Sequence, residues 1–317
     1  MKISREGALA MTSPTPVRFL PLSGVYEPSA IGQLADGRFL VVEDEKQHPF
    51  SLISMDAAGR TSSTALSPGW FEGGEAIWKL DDLEGLAVDR VGRVYVLTSH
   101  SRDGDGDEKK SRDKLARFRL DGDRIVEPVV VSGLKRALAA AHPVLAAAIK
   151  VRDAKSDGGL NIEAIDISPD QQRLLIGFRS PLLNGRAIIA SVDNPSAIFD
   201  AGASPSVSAS LETLDLGGNG IRGMAYMPAL NGYLIIGGPA IREKVHFELW
   251  LWSGAPGSPA RRVSVDGLPG FEHAEGISPA IIEGASMVII VSDDGDRAKG
   301  QCAHYVLLNA AQLLVKA

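Results

Sequence analysis

The stretch "DDLEGLAVDRVGRVYVLTSHSR", from Asp81 to Arg102, sets the pattern for most of this chain. A Glu-Gly pair precedes a short apolar strand, a turn follows, and a second, more apolar strand ends abruptly in polar residues. Four other stretches, beginning at Glu27, Asn161, Gly220 and Glu275, repeat this order. The charged anchors of the five copies are Glu27, Glu84, Glu163, Arg222 and Glu275.

The anchors recur at intervals of roughly 50 to 60 residues, apart from one longer interval that contains an insertion. This period is too long for a solenoid coil and suits one four-stranded propeller blade. The last copy has only three strands, so we expect the stretch Val17–Leu22 to supply its fourth and close the ring. The sequence therefore predicts an all-β fold, a five-blade propeller, with six blades as the alternative if the insertion hides another blade.

The insertion, residues 133–158, is rich in Ala and Leu with helical spacing. Pro143 interrupts it, so we expect two short helices rather than one. The predicted layout is a disordered tail over residues 1–16, with either Met1 or Met11 as the start, and a single propeller domain over residues 17–317 that carries the insertion.

Composition narrows the possible partners. The formal net charge is −6, and Lys and Arg are scattered, which argues against nucleic acid as a partner. No apolar stretch is long enough for a membrane span, and the N-terminus lacks the apolar segment of a signal peptide. Cys302 is the single cysteine, so no intrachain disulfide is possible. We therefore expect a cytoplasmic protein without a membrane partner.

Polar residues of all five copies should meet at one mouth of the central channel. In a propeller, the innermost strand starts at the same face to which the loop after the second strand returns. The residues expected there include the five anchors together with Asn161, His100, Arg102, Arg179 and Asp293. Facing carboxylates repel each other and need cations, protons or arginine partners. One interpretation is therefore a structural network of ion pairs that pins adjacent blades together.

The motifs "LEGLAVD", "GLNIEAIDISPD", "GNGIRGMAY" and "EGISP" resemble those of a bacterial family catalogued only as a domain of unknown function. This resemblance implies a propeller-like β fold and no particular activity. More distantly, "EGLA" is similar to strand starts in esterase-like phytase and calcium-dependent lactonase propellers, which implies a metal-assisted hydrolase. Two positions depart from that pattern, because Arg222 replaces an acidic residue and Gly238-Pro239 offers no ligand.

Two functional hypotheses follow. In the first, the mouth binds a small polar or anionic ligand, or a protein partner, through Arg102, Arg179, Arg222 and Asn161. In the alternative, the protein is a hydrolase of an ester, lactone or phosphoester with His100 and Glu84 as catalytic residues. A Ca²⁺ or Mg²⁺ ion would then be held by oxygen ligands. The candidate ligands for this ion are Glu27, Glu84, Glu163, Glu275 and Asp293.

Overall fold

The strands of the computed structural model form five antiparallel sheets, each a meander that runs outward from a central channel. The structure describes residues 17–45, 48–68, 75–242, 246–268 and 270–316. The innermost strands of the sheets contact one another in a closed ring. The predicted five-blade propeller is confirmed, and the predicted tail over residues 1–16 lies outside the described residues.

The strands are named in chain order. The first is β1 (Leu20–Pro21), and blade 1 holds β2 (Pro28–Gln33), β3 (Phe39–Glu43), β4 (Phe50–Met55) and β5 (Thr61–Ala65). Blade 2 holds β6 (Leu83–Val88), β7 (Val94–Thr98), β8 (Leu115–Asp121) and β9 (Arg124–Val131). Blade 3 holds β10 (Asn161–Ile167), β11 (Leu174–Ser180), β12 (Ala187–Val192) and β13 (Glu212–Leu214). Blade 4 holds β14 (Gly220–Met227), β15 (Gly232–Gly238), β16 (Glu248–Trp252) and β17 (Arg261–Val265). Blade 5 holds β18 (Ala274–Ile282), β19 (Ala285–Ser292) and β20 (His304–Asn309), and the last strand of the chain is β21 (Leu313–Val315).

The two ends of the chain close the ring in different ways. The N-terminal strand β1 pairs with β20 as the fourth strand of blade 5, which confirms the predicted closure. The C-terminal strand β21 instead crosses to the neighbouring blade, where it pairs with β17 and gives blade 4 a fifth strand. Both additions cover what would otherwise be open sheet edges.

The helical insertion packs against the interface between blades 2 and 3. It contains α1 (Leu134–Ala141), α2 (Pro143–Ala148) and α3 (Ala154–Asp157), and Pro143 opens α2 as the sequence predicts. Leu134, Leu138 and Leu145 are buried in the hydrophobic cluster of that interface. A further helix, α4 (Pro195–Ala201), lies in blade 3 and was not predicted. No helix of the described segments is long and apolar enough to cross a membrane.

The start of each innermost strand carries a β-bulge. In β6, β10, β14 and β18, the residue skipped by the pairing is Glu84, Glu163, Arg222 or Glu275. A bulge inserts one extra residue and redirects its side chain, so four bulges bring four charged groups to one level of the channel.

Blade 1 corrects the sequence alignment. The residue skipped in β2 is Ser29, and Glu27 precedes the strand. Glu27 is therefore not the fifth member of the ring of anchors. The alignment was wrong by two residues because a buried serine offers no charge by which the bulge could be recognised in the sequence.

The closure between blades 5 and 1 can be tested at Tyr305. Its hydroxyl donates a hydrogen bond to the backbone carbonyl of Gly59, in the β4–β5 hairpin of blade 1. We expect Tyr305→Phe to lower the free energy of unfolding by about 1 kcal/mol in urea titrations, because the Gly59 carbonyl loses its partner. The control Tyr226→Phe removes a hydroxyl that bonds to Asn231 of its own hairpin. A larger loss in the control would contradict a closing role for Tyr305.

Candidate functional site

Arg222 lies at the centre of the predicted mouth, between the bulged glutamates of the two neighbouring blades. Its Nε lies 2.9 Å from Glu163 Oε2 and its Nη1 lies 3.2 Å from Glu163 Oε1. Its Nη2 pairs with Glu275 Oε1. All three side chains are at most 9% exposed. One buried guanidinium therefore ties blades 3, 4 and 5 together.

Glu163 accepts hydrogen bonds from two further side chains. Its Oε1 accepts from Arg179 Nη1 at 3.1 Å and from Asn161 Nδ2 at 2.9 Å. Arg179 also donates its Nε to the Pro239 carbonyl at 3.0 Å. The structure thus brings Asn161, Arg179 and Arg222 together as predicted, but their donors point at Glu163, at Glu275 and at backbone. This part of the mouth matches the interpretation of an ion-pair network between blades.

Glu84 is the bulged glutamate without such a partner. Its buried carboxylate makes no hydrogen bond to the described residues, and four other charged groups act on it from a distance. Burial raises the pKa of Glu84 well above its ordinary value, and Glu163, Asp82 and Asp44 raise it further by repulsion. Arg222 opposes this shift in pKa only in part. Glu84 is therefore the carboxylate that the network leaves free.

Three more carboxylates at this mouth make no side-chain hydrogen bond among the described residues: Glu27, Asp44 and Asp293. Asp44 is exposed to solvent on one side, but the protein atoms around it partly desolvate its carboxylate. This desolvation, followed by repulsion from Asp82, raises its pKa to about 7. Burial also raises the pKa of Glu27 and of Asp293. The free carboxylates therefore make the electrostatic potential at the mouth negative.

A lysine of the insertion acts across this mouth. Lys155, at the start of α3, exerts an attractive electrostatic effect on Asp44 of blade 1 and on Asp293 of blade 5. Its backbone carbonyl accepts from the Arg242 amide of blade 4 at 2.9 Å. The insertion therefore belongs to the same face as the acidic residues.

Two arginines that sequence reasoning did not single out neutralise other carboxylates at this face. Arg112 pairs with Asp81 Oδ2 at 3.2 Å and with Asp82 Oδ2 at 3.1 Å. Arg297 pairs with Glu45 at 2.6 Å, lies 3.5 Å from Glu43 and stacks over the ring of Tyr26. Each arginine follows an acidic stretch in the loop between the second and third strands of its blade, which is the sequence signal that could have revealed it.

His100 and Arg102 face the protein rather than the free carboxylates. His100 is fully buried; its Nδ1 lies 2.7 Å from the Thr98 carbonyl and its Nε2 lies 3.4 Å from Asp113. Burial lowers its pKa, which favours the neutral ring. Arg102 donates to the carbonyls of Ile149 and Gly106 and to Glu108, so it joins its loop to the insertion. The predicted catalytic role of His100 and the predicted ligand contact of Arg102 remain predictions.

The five carboxylates predicted to hold Ca²⁺ or Mg²⁺ do not fit a metal ion. Glu163 and Glu275 are engaged by Arg222, and Glu27 stands apart from the ring of bulged residues. Across the described ranges, no group of three or more His, Cys, Asp or Glu residues is placed to hold a metal. A divalent cation needs several oxygen ligands at about 2.0–2.6 Å, and two of the five candidates are already bound to the Arg222 guanidinium.

Several solved structures are loosely similar to this chain. A PQQ-bound aldose sugar dehydrogenase from Streptomyces coelicolor has 16% identity and a TM-score of 0.43, covering 95% of this chain and 100% of that one. The PQQ domain of a pyranose dehydrogenase from Coprinopsis cinerea has 10% identity and a TM-score of 0.47, covering 96% and 98%. A gluconolactonase from Xanthomonas campestris has 14% identity and a TM-score of 0.40, covering 95% and 86%. At these values, none of them carries an argument about the activity of this chain.

The sequence itself matches one family model, over residues 131–309, described as "Protein of unknown function (DUF3616)". No curated protein matches. The matched range runs from the end of blade 2 to the third strand of blade 5, and it includes Glu163, Arg222 and Glu275.

Proposed function

This chain belongs to the family described as "Protein of unknown function (DUF3616)", and we propose that it is a binding protein. Its channel mouth would hold a small polar ligand that presents several hydrogen-bond donors, ammonium groups above all. The observation that carries this proposal is the buried carboxylate of Glu84, which lacks a hydrogen bond to the described residues and is repelled by Asp44, with Glu27 and Asp293 at the same mouth. A carboxylate accepts hydrogen bonds and attracts cations, so the free groups of the mouth are complementary to donors.

The same geometry argues against an anionic ligand, the other half of the prediction. Arg179 and Arg222 are committed to Glu163 and Glu275, and Arg112 is committed to Asp81 and Asp82. An incoming anion would have to displace these carboxylates and would meet the repulsion of the free ones. Polar ligands that donate hydrogen bonds do not meet this cost.

An extended organic ligand also suits the spacing of the carboxylates better than a metal ion does. The groups belong to blades 1, 2 and 5 and act on each other electrostatically without forming one cluster of ligands. A molecule with several donors can reach separate acceptors, whereas an ion needs them within a single coordination shell. A metal-assisted hydrolysis therefore draws no support from this mouth.

Ligand binding can be tested by thermal unfolding with spermidine as the probe and citrate, Ca²⁺ and Mg²⁺ as comparisons. We expect spermidine at about 100 times its Kd to add about 2.7 kcal/mol of stability. Citrate should add none, and Glu84→Gln should remove most of the gain from spermidine. Stabilisation by citrate, or by a divalent cation alone, would overturn the proposal.

The ionised carboxylate of Glu84 should lower the free energy of unfolding of the ligand-free protein at neutral and alkaline pH. Its pKa is raised on folding, so stability falls as pH rises from the unfolded value of about 4.5 through the folded one. We expect Glu84→Gln to be more stable than the parent by about 1–3 kcal/mol at pH 8, and this gain should vanish near pH 4. The control Glu75→Gln changes an exposed glutamate paired with Lys79 and should have little effect. Urea unfolding at several pH values measures the difference, and a pH-independent gain would contradict the explanation.

A further inference from the structure

A second site lies at the other end of the channel, away from the acidic mouth. A cavity of about 510 Å³ opens there, within the range that small-molecule sites occupy. All five innermost strands line it, through their later residues rather than their bulged starts. Its apolar wall includes Ile31, Leu86, Ile167, Met227 and Ile277.

Most polar side chains of this cavity are already engaged by the protein. Gln33 bonds through its amide to the Gly37 carbonyl and to both backbone groups of Ile281. Gln171 bonds to the Arg90 amide and the Ser168 carbonyl, and Ser278 donates to the Pro279 carbonyl. These groups complete the turns at this face and leave little polar capacity for a ligand.

Asp166 differs from them. Of the described residues that line the cavity, it is the only carboxylate. Its Oδ1 accepts from the Ile167 amide at 2.8 Å and its Oδ2 accepts from the Tyr226 amide at 2.6 Å. Among the described residues, no lysine or arginine forms an ion pair with it, and burial raises its pKa to about 7. Each carboxylate oxygen can accept a further hydrogen bond. An acidic group without a countercharge in an apolar wall is complementary to one cation.

The other ionisable groups near the cavity do not supply that cation. Arg90 lines the cavity and is exposed to solvent, and it does not act on the pKa of Asp166. Tyr226 donates its hydroxyl to Asn231. Tyr233, on the adjacent strand of blade 4, has its pKa raised by burial and by the charge of Asp166.

We propose that this cavity binds a small molecule that combines an apolar body with one ammonium group, the ammonium resting against Asp166. The apolar wall removes the body from water, and the carboxylate supplies the charge-assisted hydrogen bond that fixes its orientation. The cavity is lined by the later residues of the innermost strands, whereas the acidic mouth lies where these strands start, so the two sites are separate. This inference does not depend on the function proposed for the mouth.

The test uses three probes that share one apolar ring: benzylamine, benzyl alcohol and benzoate. Calorimetric titration of the full chain at pH 8 should show one benzylamine bound per chain, weaker binding of benzyl alcohol and no binding of benzoate. Asp166→Asn should weaken benzylamine by about tenfold or more and leave benzyl alcohol unchanged. Equal loss for both probes, or preferred binding of benzoate, would overturn the proposal.

A second measurement stays decisive even if Asp166→Asn fails to fold. In crystals of the unaltered protein soaked with 4-bromobenzylamine, the anomalous signal of bromine locates the ring directly. The proposal requires the bromine within the cavity and the ammonium against Asp166. Bromine bound only at the mouth near Glu84, or bound nowhere, would overturn it.

Discussion

Arg222→Met should be among the most destabilising single substitutions in this protein, with an expected loss of about 3–5 kcal/mol in the free energy of unfolding at pH 7.5. Methionine retains much of the apolar stem but leaves Glu163 and Glu275 facing each other as buried carboxylates without their shared cation. Breaking a buried ion pair by removing one partner has this magnitude because the remaining charge stays desolvated. Urea unfolding of the variant and the parent measures the loss.

The loss should shrink on acidification. Without Arg222 the penalty comes from two buried carboxylates that repel each other, so it should diminish as acid neutralises them. The control Arg60→Met breaks an exposed pair with Asp56 and should change stability by at most about 0.5 kcal/mol. A loss as small as that of the control, or one independent of pH, would show that Arg222 does not hold the blades together.

Gly223→Ala is expected to have the second large effect. Gly223 follows Arg222 in β14, and a Cβ atom there would collide with the backbone carbonyl of Glu275 in the next blade. Because backbone cannot move aside as a flexible side chain does, we expect a loss of about 3 kcal/mol or more. Gly104→Ala is the matched control, since a Cβ there meets nothing within 4 Å. Thermal unfolding compares the two, and equal melting temperatures would contradict close packing of the innermost strands.

Arg222 and Gly223 also explain the pair of a charged residue and a glycine in the stretch from Asp81 to Arg102. In blades 2 and 5, Glu84 and Glu275 are likewise followed by Gly85 and Gly276, whose added Cβ atoms would lie 3.0 Å from backbone atoms of the next blade. The charged residue reaches the channel through the bulge, and the glycine lets adjacent innermost strands approach. The repeated motif therefore encodes both the ring and its charged lining.

Much of the fold could be predicted because blade strands are local features of the sequence. Alternating turns and apolar runs identified the five blades, and the missing strand of the last copy identified the role of the N-terminal segment. The pairing of β21 with β17 could not be predicted, because three residues carry too little pattern to name a partner in another blade. The shift from Glu27 to Ser29 depends on a bulge, which backbone pairing reveals and composition does not.

The sequence predicted which residues meet at the mouth but not which of them form ion pairs with each other. Glu84, Glu163, Arg222 and Glu275 do meet, yet which carboxylate remains free depends on the reach of each arginine. Arg222 takes two glutamates, and Glu84 is left without a hydrogen bond to the part of the chain that the structure describes. The cavity at Asp166 could not be predicted from the sequence, for a different reason. Its walls are apolar residues spread over five strands, and no single stretch of sequence marks them.

The most direct test of the free carboxylate at the mouth is an NMR titration of the glutamate side-chain carboxyls, with Glu84→Gln to assign the signal. We predict that one signal titrates well above the ordinary glutamate range, is lost in Glu84→Gln, and shifts to lower pH when spermidine is added. The last shift follows because a bound cation favours the ionised carboxylate. A Glu84 signal with an ordinary pKa, unmoved by spermidine, would contradict the account.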